Sequence, residues 1–164
     1  MRAIKAILPD GAIAWAWSNL SFISVNGRLA EVDLFLLTKT GLTLIELKGW
    51  HGQIKGNQQN WRVGDTAKPN PLFLTDQKAK WLRGLLEYVQ PAGKKVPIPF
   101  IRAFTVLHGK DSRVELDPVA VAQTFGLDEL MHIGVLLLLS QGESSTAEET
   151  LESLVSALDY FGDC

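Results

Sequence analysis

Apolar and polar residues alternate along much of the first half of the chain, and this is the period of a half-buried β-strand. The alternation predicts three strands, over residues 14–25, 31–37 and 42–48. Trp15 and Trp17 share one face of the first strand, and Asn26-Gly27 predicts a tight hairpin turn after it. Residues 1–8 are expected to form the end of a helix. The first half of the chain therefore predicts a meander of strands after a short helical segment.

A helical period of apolar residues follows the meander. Asn70 and Pro71 are typical of a helix N-cap and of the first helical position. The apolar spacing from Leu74 to Val89 extends this helix to Pro91. The remaining predicted elements are a small hairpin around Trp61 within 55–68, a buried strand over 100–107, edge strands over 114–123, and helices over 127–139 and 147–161. Because a helix separates the third strand from the buried strand, we expect those two strands to be parallel.

Composition sets the class of protein. The chain has 164 residues, 46% of them hydrophobic, with five Trp and seven Phe, so it can bury the core of one domain. Its one cysteine, Cys164, excludes an internal disulfide and favours a reducing cytoplasm. No apolar run approaches the roughly 20 residues that cross a bilayer, so no membrane association is expected. A formal net charge of −2 excludes a broad basic surface but allows lysines to gather around an acidic site.

Two charges interrupt the third strand near its end. Glu46 and Lys48 share a face with Leu42 and Leu44, because residues two apart point to the same side of a strand. Both faces of this strand are mostly apolar, and this indicates an interior position where each unpaired charge would cost several kcal/mol. The sequence therefore predicts that both charged side chains have partners.

A hairpin that turns at 39–40 supplies candidate partners, because it places Asp33 opposite Glu46 and Glu31 opposite Lys48. Carboxylates on opposed residues, with Cβ atoms roughly 5 Å apart, repel each other, and a hard divalent cation such as Mg²⁺ relieves the repulsion. Lys48 beside that ion could orient a water and stabilise charge on a phosphate. Two other interpretations stay open: Glu31 as a simple salt-bridge partner of Lys48, and the whole group as a relict ion cluster.

These residues carry a family resemblance. Asp33, followed across a hairpin by Glu46-Leu47-Lys48, matches the PD-(D/E)xK nuclease signature. The flanks "EVDLFLLTKTGLTLIELKGWHGQIKG" and "NPLFLTDQKAKWLRGLL" resemble the nuclease-related domain, NERD, over residues 8–121. With "LPDG" before the first strand, the chain is similar to the version at the N-terminus of BREX-type phage-defence serine/threonine kinases. The resemblance implies a restriction-endonuclease-like α/β fold, a mixed β-sheet flanked by helices, over residues 1–141, with a linker and a C-terminal helix over 142–164.

The resemblance also implies a site. Asp33, Glu46 and the Leu47 carbonyl are implied as ligands of Mg²⁺ (or Mn²⁺), and Lys48 as the catalytic lysine. Gln77 is implied as a fourth catalytic residue, although it lies one turn later on the helix than the usual family glutamine. It is expected to point inward, in step with Leu74 and Trp81.

DNA contacts are expected from three residues near this site. Lys78 and Lys80 belong to a basic run on the helix, and His51 directly follows the third strand. Each also has a plain interpretation, because basic runs on helices are more often solvated faces and a loop histidine often has no special role.

The resemblance implies a metal-dependent nuclease domain that hydrolyses DNA phosphodiesters in phage defence. DNA, a fused or associated kinase and other defence-system proteins are the implied partners. Family members usually carry a Gly-Glu pair on a helix upstream of the strand acid, whereas residues 1–8 contain no acid, so ion binding is expected to be weak and cleavage slow. The alternatives are a catalytically weak or inactive DNA-binding or regulatory module of a larger defence protein, and a purely structural interaction domain.

Overall fold

The described residues form two sheets and a long helix. The computed structural model describes residues 4–7, 13–38, 41–90 and 97–129. Its strands are β1 Ile4–Ile7, β2 Ile13–Ile23, β3 Leu29–Thr38, β4 Gly41–Lys48, β5 Gln53–Gly56, β6 Trp61–Val63, β7 Thr66–Lys68, β8 Ile101–Leu107, β9 Arg113–Leu116 and β10 Thr124–Gly126. Its helices are α1 Pro71–Tyr88, α2 Pro118–Val121 and a short 3-10 turn, Leu127–Glu129.

The larger sheet has β4 near its centre. Its strand order is β1-β2-β3-β4-β8-β10, with antiparallel pairs up to β4 and parallel pairs from β4 to β8 and from β8 to β10. The parallel pairing of β4 with β8 confirms the crossover predicted from the sequence. The architecture is the mixed α/β arrangement of a restriction-endonuclease-like fold.

The β3–β4 hairpin has the predicted register. Its pairs run from Thr38 opposite Gly41 to Leu34 opposite Ile45. The first five residues of β4 are buried, so this strand is an interior one. Asp33 and Glu46 lie one step beyond the last ladder pair, and the predicted pairing of Glu31 with Lys48 is absent from the ladder that the described residues form.

Helix α1 covers one face of the larger sheet. Asn70 caps it, with its side-chain oxygen accepting a hydrogen bond from the Phe73 N–H at 3.2 Å, and Pro71 is the first helical residue, as predicted. The core between helix and sheet contains Trp15, Trp17, Leu20, Phe22, Ala30, Val32, Phe35, Leu37, Leu42, Leu44, Ala79, Leu82, Leu85, Leu86, Ile98 and Ile101. Burial of these side chains fixes the face of β4 that carries Glu46 toward α1.

The smaller sheet continues directly from the end of β4. Its order is β7-β6-β5-β9, which contains the hairpin predicted around Trp61. Ile54 and Trp61 are fully buried in a second core with Leu72, Leu107 and Ala120. The second sheet is therefore packed against the first through the start of α1 and the end of β8.

Three sequence predictions differ from the structure or lie outside it. Residues 4–7 form strand β1, paired with β2, and not the end of a helix, because a free strand edge offers backbone hydrogen bonds that outweigh the local helix propensity of this segment. Residues 114–123 contain only the end of one strand and then α2, which starts at Pro118 under an Asp117 cap. Beyond the 3-10 turn, the predicted C-terminal helices and the linker lie outside the described residues. Within the described part of the chain, no helix is both long and apolar enough to cross a membrane.

The segments that follow β4 and β8 pass in close contact. A Cβ added at Gly109 would overlap the Trp50 carbonyl oxygen, so only glycine allows the backbones to approach this closely. This contact joins the C-terminal end of β4, which bears Glu46 and Lys48, to the C-terminal end of its parallel neighbour β8.

We predict that Gly109→Ala lowers the free energy of unfolding by about 3 kcal/mol, because the backbones must separate. Gly84→Ala is the matched control. A Cβ at this position in α1 meets nothing within 4 Å, so the gain in helix propensity should stabilise the protein by up to about 1 kcal/mol. Urea unfolding measures the free energy of unfolding of both variants. Equal changes in the two variants would contradict the close approach of the backbones at Gly109.

Candidate metal and active site

Glu46 is held between two lysines at the end of β4. Its Oε1 accepts a hydrogen bond from Lys48 Nζ at 2.7 Å, and its Oε2 accepts one from Lys78 Nζ at 2.8 Å. The side chains of Glu46, Lys48 and Lys78 are 13%, 27% and 20% exposed. Each carboxylate oxygen therefore has its own ammonium group in a partly desolvated position.

The fold explains how Lys78 reaches this position. The buried line of α1 runs through Thr75, Ala79, Leu82 and Leu86, and Lys78 lies at the edge of this line, toward the sheet. On the face of β4 toward the helix, apolar Leu44 is followed by charged Glu46, which marks the edge of the core. The ammonium group of Lys78 lies opposite Glu46 at this edge. Lys78 on the helix is thus a partner of Glu46 that was not predicted from the sequence.

The two lysines determine the ionisation of Glu46. Burial by itself raises the pKa of this carboxyl group, but the hydrogen bonds and charges of Lys48 and Lys78 together outweigh burial, so the pKa lies below its usual value. Glu46 is consequently ionised at neutral pH and available as an anionic ligand.

Asp33 lies beside this group but outside the strand ladder. Its Oδ2 accepts a hydrogen bond from the Leu47 N–H at 2.7 Å, so the side chain takes the place of the next backbone partner after the pair of Leu34 and Ile45. The ion pair of Lys48 in the described chain is with Glu46 and not with Glu31. The β3–β4 hairpin therefore brings Asp33 to the Glu46-Leu47-Lys48 segment through a side chain-to-backbone bond.

The oxygen atoms at this point are of the types that a hard divalent cation binds. The N–H and C=O of one strand residue point to the same neighbouring strand, so the Leu47 carbonyl faces the side on which Asp33 bonds to the Leu47 N–H. Two carboxylates and a backbone carbonyl are ligands that Mg²⁺ or Mn²⁺ accepts. No group of three or more His, Cys, Asp or Glu side chains at metal-binding spacing occurs among the described residues. The protein would thus offer few charged ligands, and Lys48 and Lys78 already balance the charge of both carboxylates.

Two buried hydroxyl groups extend the site across the sheet. Thr105 on β8 lies opposite Glu46, and Thr124 on β10 lies opposite Thr105. Thr105 is fully buried, and in the described structure neither Oγ1 atom has a hydrogen-bond partner. Neither threonine was predicted from the sequence, because a threonine within an apolar strand can be placed near Glu46 only when the pairing of β4 with β8 is known.

Gln77 lies off the buried line of α1, although its side chain is half-buried, and its catalytic role stays a prediction. Leu74, expected to point inward with it, is 40% exposed, and the buried line of the helix runs through Thr75 and Ala79. Gln77 is two residues from each, which places it about 160° round the helix from them. No hydrogen bond joins it to Glu46 within the described residues, and Lys78 occupies the position nearest to this carboxylate.

The two other predicted DNA contacts lie at the periphery. Lys80 is 74% exposed and forms an ion pair with Asp76 at 2.6 Å on the helix surface. The ring of exposed His51 lies 3.2 Å from the Lys110 carbonyl oxygen, with Nδ1 as the near atom. Their roles toward DNA stay predictions.

Comparisons with known proteins show what the chain is similar to. The family model described as Nuclease-related domain matches residues 2–108, a range that contains Asp33, Glu46, Lys48 and Lys78. Probable kinase PglW of Streptomyces coelicolor is 39% identical to the chain over 110 residues, which cover 64% of this chain and 7% of that protein. The chain therefore spans a small fraction of the length of that relative. No solved structure matches the chain significantly.

Replacing Glu46 with glutamine tests the charge cluster. The amide leaves Lys48 and Lys78 without their counter-charge, so we expect Glu46→Gln to destabilise the protein by about 2 kcal/mol at neutral pH. Because the folded-state pKa of Glu46 lies below its usual value, this stabilisation is present above the unfolded-state pKa of 4.5 and is lost as the pH falls through the lower folded-state value. Urea unfolding as a function of pH should show the two proteins converging only in acid.

The control is Glu87→Gln. Glu87 is 53% exposed and pairs with Arg83 at 3.0 Å on the helix surface, so no measurable change is expected at any pH. A stability difference for Glu46→Gln that is absent at neutral pH, or that persists in acid, would contradict the assignment of the two lysines as the stabilising partners.

Proposed function

The chain belongs to the nuclease-related domain family, and from this premise we propose that it hydrolyses DNA phosphodiesters with Mg²⁺ or Mn²⁺ as a module of a phage-defence protein. The observation that carries the proposal is the Glu46 carboxylate between Lys48 and Lys78, next to Asp33 at the Leu47 amide. Acids that could hold a cation and ammonium groups that could contact a phosphate meet at one point of the sheet.

The residues have distinct roles in this proposal. Asp33, Glu46 and the Leu47 carbonyl hold the ion, which when bound supplies charge neutralisation at the phosphate and activation of water. Lys48 extends from the same strand as Glu46, so its ammonium can orient the attacking water and stabilise the charge that develops on the phosphate. Thr105, a buried hydroxyl opposite Glu46 in the sheet, can hold an ordered water on the far side of that carboxylate.

Lys78 contacts the DNA phosphate nearest to the bond that is cleaved. Its ammonium is 2.8 Å from Glu46 and 20% exposed, so a small rotation can move it from the carboxylate to a phosphate oxygen. Lys80 and His51 add outer contacts in this proposal, because both side chains are exposed and lie two and three residues after Lys78 and Lys48 in the chain. Gln77 would act on the DNA backbone rather than on the reacting atoms, given its position on the helix.

A second candidate function is a regulatory or DNA-binding module without efficient cleavage. Both oxygens of Glu46 are bonded to lysines, so the two ammonium groups compete with an incoming cation for this carboxylate. The similarity to a protein named as a probable kinase, of which 7% is covered, also fits a domain that serves a larger cytoplasmic defence protein. In this function, metal and DNA would bind but DNA would remain intact.

Cleavage assays on plasmid and single-stranded DNA, with Mg²⁺, Mn²⁺ or EDTA, separate the two functions. We expect slow cleavage that is faster in Mn²⁺, because the described site offers only two carboxylates, and none in EDTA. Lys48→Ala should reduce the cleavage rate by about 100-fold or more in protein that is still folded at the assay temperature, although loss of the bond to Glu46 lowers its stability.

The control is Lys55→Ala. Lys55 is also an ion-paired lysine, bonded to Glu115 at 2.8 Å, but it lies on the smaller sheet. The Lys55→Ala variant should cleave DNA at the rate of the parent protein. Metal-dependent DNA binding without any cleavage would favour the regulatory module, and cleavage that survives in both EDTA and Lys48→Ala would contradict the nuclease proposal.

A further inference from the structure

The pairing of β2 with β3 contains a single interruption. On both sides of it the register is the same, from Ala14 opposite Thr38 to Ser18 opposite Leu34, and again from Leu20 opposite Val32. The pair that is missing is Asn19 and Asp33. Asn19 has a φ of 52°, in the left-handed region that residues other than glycine seldom adopt. The irregularity therefore involves one residue on each strand, and one of them is the proposed metal ligand.

The buried face of both strands changes at this pair. In a regular strand, residues two apart share a face. On β2, however, buried Trp17 is followed by buried Leu20, three residues later. On β3, buried Val32 is followed by buried Phe35, also three residues later. All four side chains belong to the same core under α1, so the two strands rotate together between these positions.

This rotation determines where Asp33 points. A regular strand continuing from Phe35 would place Asp33 on the core face, beneath α1. In the structure its carboxylate is half-exposed and bonds to the Leu47 N–H at 2.7 Å, in the position of a ladder partner. The β3–β4 ladder also ends at this point, at Leu34 and Ile45. One local distortion thus explains both interrupted ladders and the direction of the carboxylate.

We propose that Asn19 is a positioning residue, whose left-handed backbone conformation directs the Asp33 carboxylate to the Leu47 amide and to the adjacent metal-binding oxygens. Asparagine is among the few residues other than glycine that adopt this conformation readily. The proposal rests on the proposed function, because it assigns to Asp33 the role of a metal ligand. It assigns the effect to the backbone of Asn19, not to its amide group.

Three variants test this proposal. Asn19→Ala opposes the left-handed conformation, Asn19→Gly permits it without the amide, and Asp111→Ala is the matched control, because Asp111 also has a positive φ, 58°, but lies in the turn after β8. The first readout is the exchange rate of the Leu47 amide in metal-free protein, followed by NMR. The second is the Mn²⁺ concentration that gives half of the metal-dependent rise in Tm.

Asn19→Ala should speed Leu47 exchange and raise the required Mn²⁺ concentration, each by about tenfold relative to Asp111→Ala. Asn19→Gly should keep both values within about twofold of the parent protein. The proposal is overturned if Asn19→Ala matches Asp111→Ala in both readouts, or if Asn19→Gly loses the metal response. If Asn19→Ala does not fold, Asn19→Gly still tests the assignment to the backbone, because loss of the metal response in that variant would overturn it.

Asp33→Asn separates this proposal from the proposed function. The amide keeps an oxygen that can accept the Leu47 N–H but removes the negative charge, so the metal-dependent rise in Tm should disappear. If Asp33→Asn loses the rise while Asn19→Ala keeps it, the metal site stands and the positioning role of Asn19 fails. If Asp33→Asn keeps the rise unchanged, the ion binds elsewhere and the proposed function itself fails.

Discussion

A carboxylate that is partly buried at the end of an interior strand loses hydration, which nearby cations have to compensate, and this constraint shapes the site. Glu46 meets it with one ammonium from its own strand and one from α1. The helix has to cross the sheet at the level where the apolar face of β4 ends, and the core that α1 shares with β2, β3 and β4 holds it there. The site therefore depends on the register of helix and sheet as much as on the residues themselves.

Much of the fold could be predicted from the sequence because its signals are local. The alternation of residues defined the meander, the turn between Thr38 and Gly41 fixed the β3–β4 register, and Asn70-Pro71 marked the start of the helix. Strand β1 was assigned wrongly because four residues carry too little periodicity to decide, and the strand exists through its pairing with β2. The pairing of strands across the sheet is a tertiary property that residue periodicity does not encode.

The sequence predicted several residues of the site but not the hydrogen bonds that they form. The sequence predicted that Asp33 lies near Glu46, on the assumption of a regular β3–β4 ladder. In the structure, the distortion at Asn19 directs the Asp33 side chain to the Leu47 amide. A signal existed: the apolar spacing on β2 shifts by one residue around Asn19, a residue type that tolerates positive φ. The family resemblance favoured Gln77 on the helix, whereas the turn of α1 brings the next residue to the carboxylate. A nearly neutral cluster results, and it explains why metal affinity and catalytic strength are expected to be modest.

In the proposed metal centre, the carboxylates of Asp33 and Glu46 and the Leu47 carbonyl bind a divalent cation, and Lys48 and Lys78 supply positive charge when no cation is bound. Anomalous X-ray scattering from crystals soaked in Mn²⁺ tests it most directly. We expect one peak within about 2.4 Å of these oxygens, with Lys78 withdrawn from Glu46. The proposal would be contradicted if, at saturating Mn²⁺, no peak lay there and Glu46 remained bonded to both lysines.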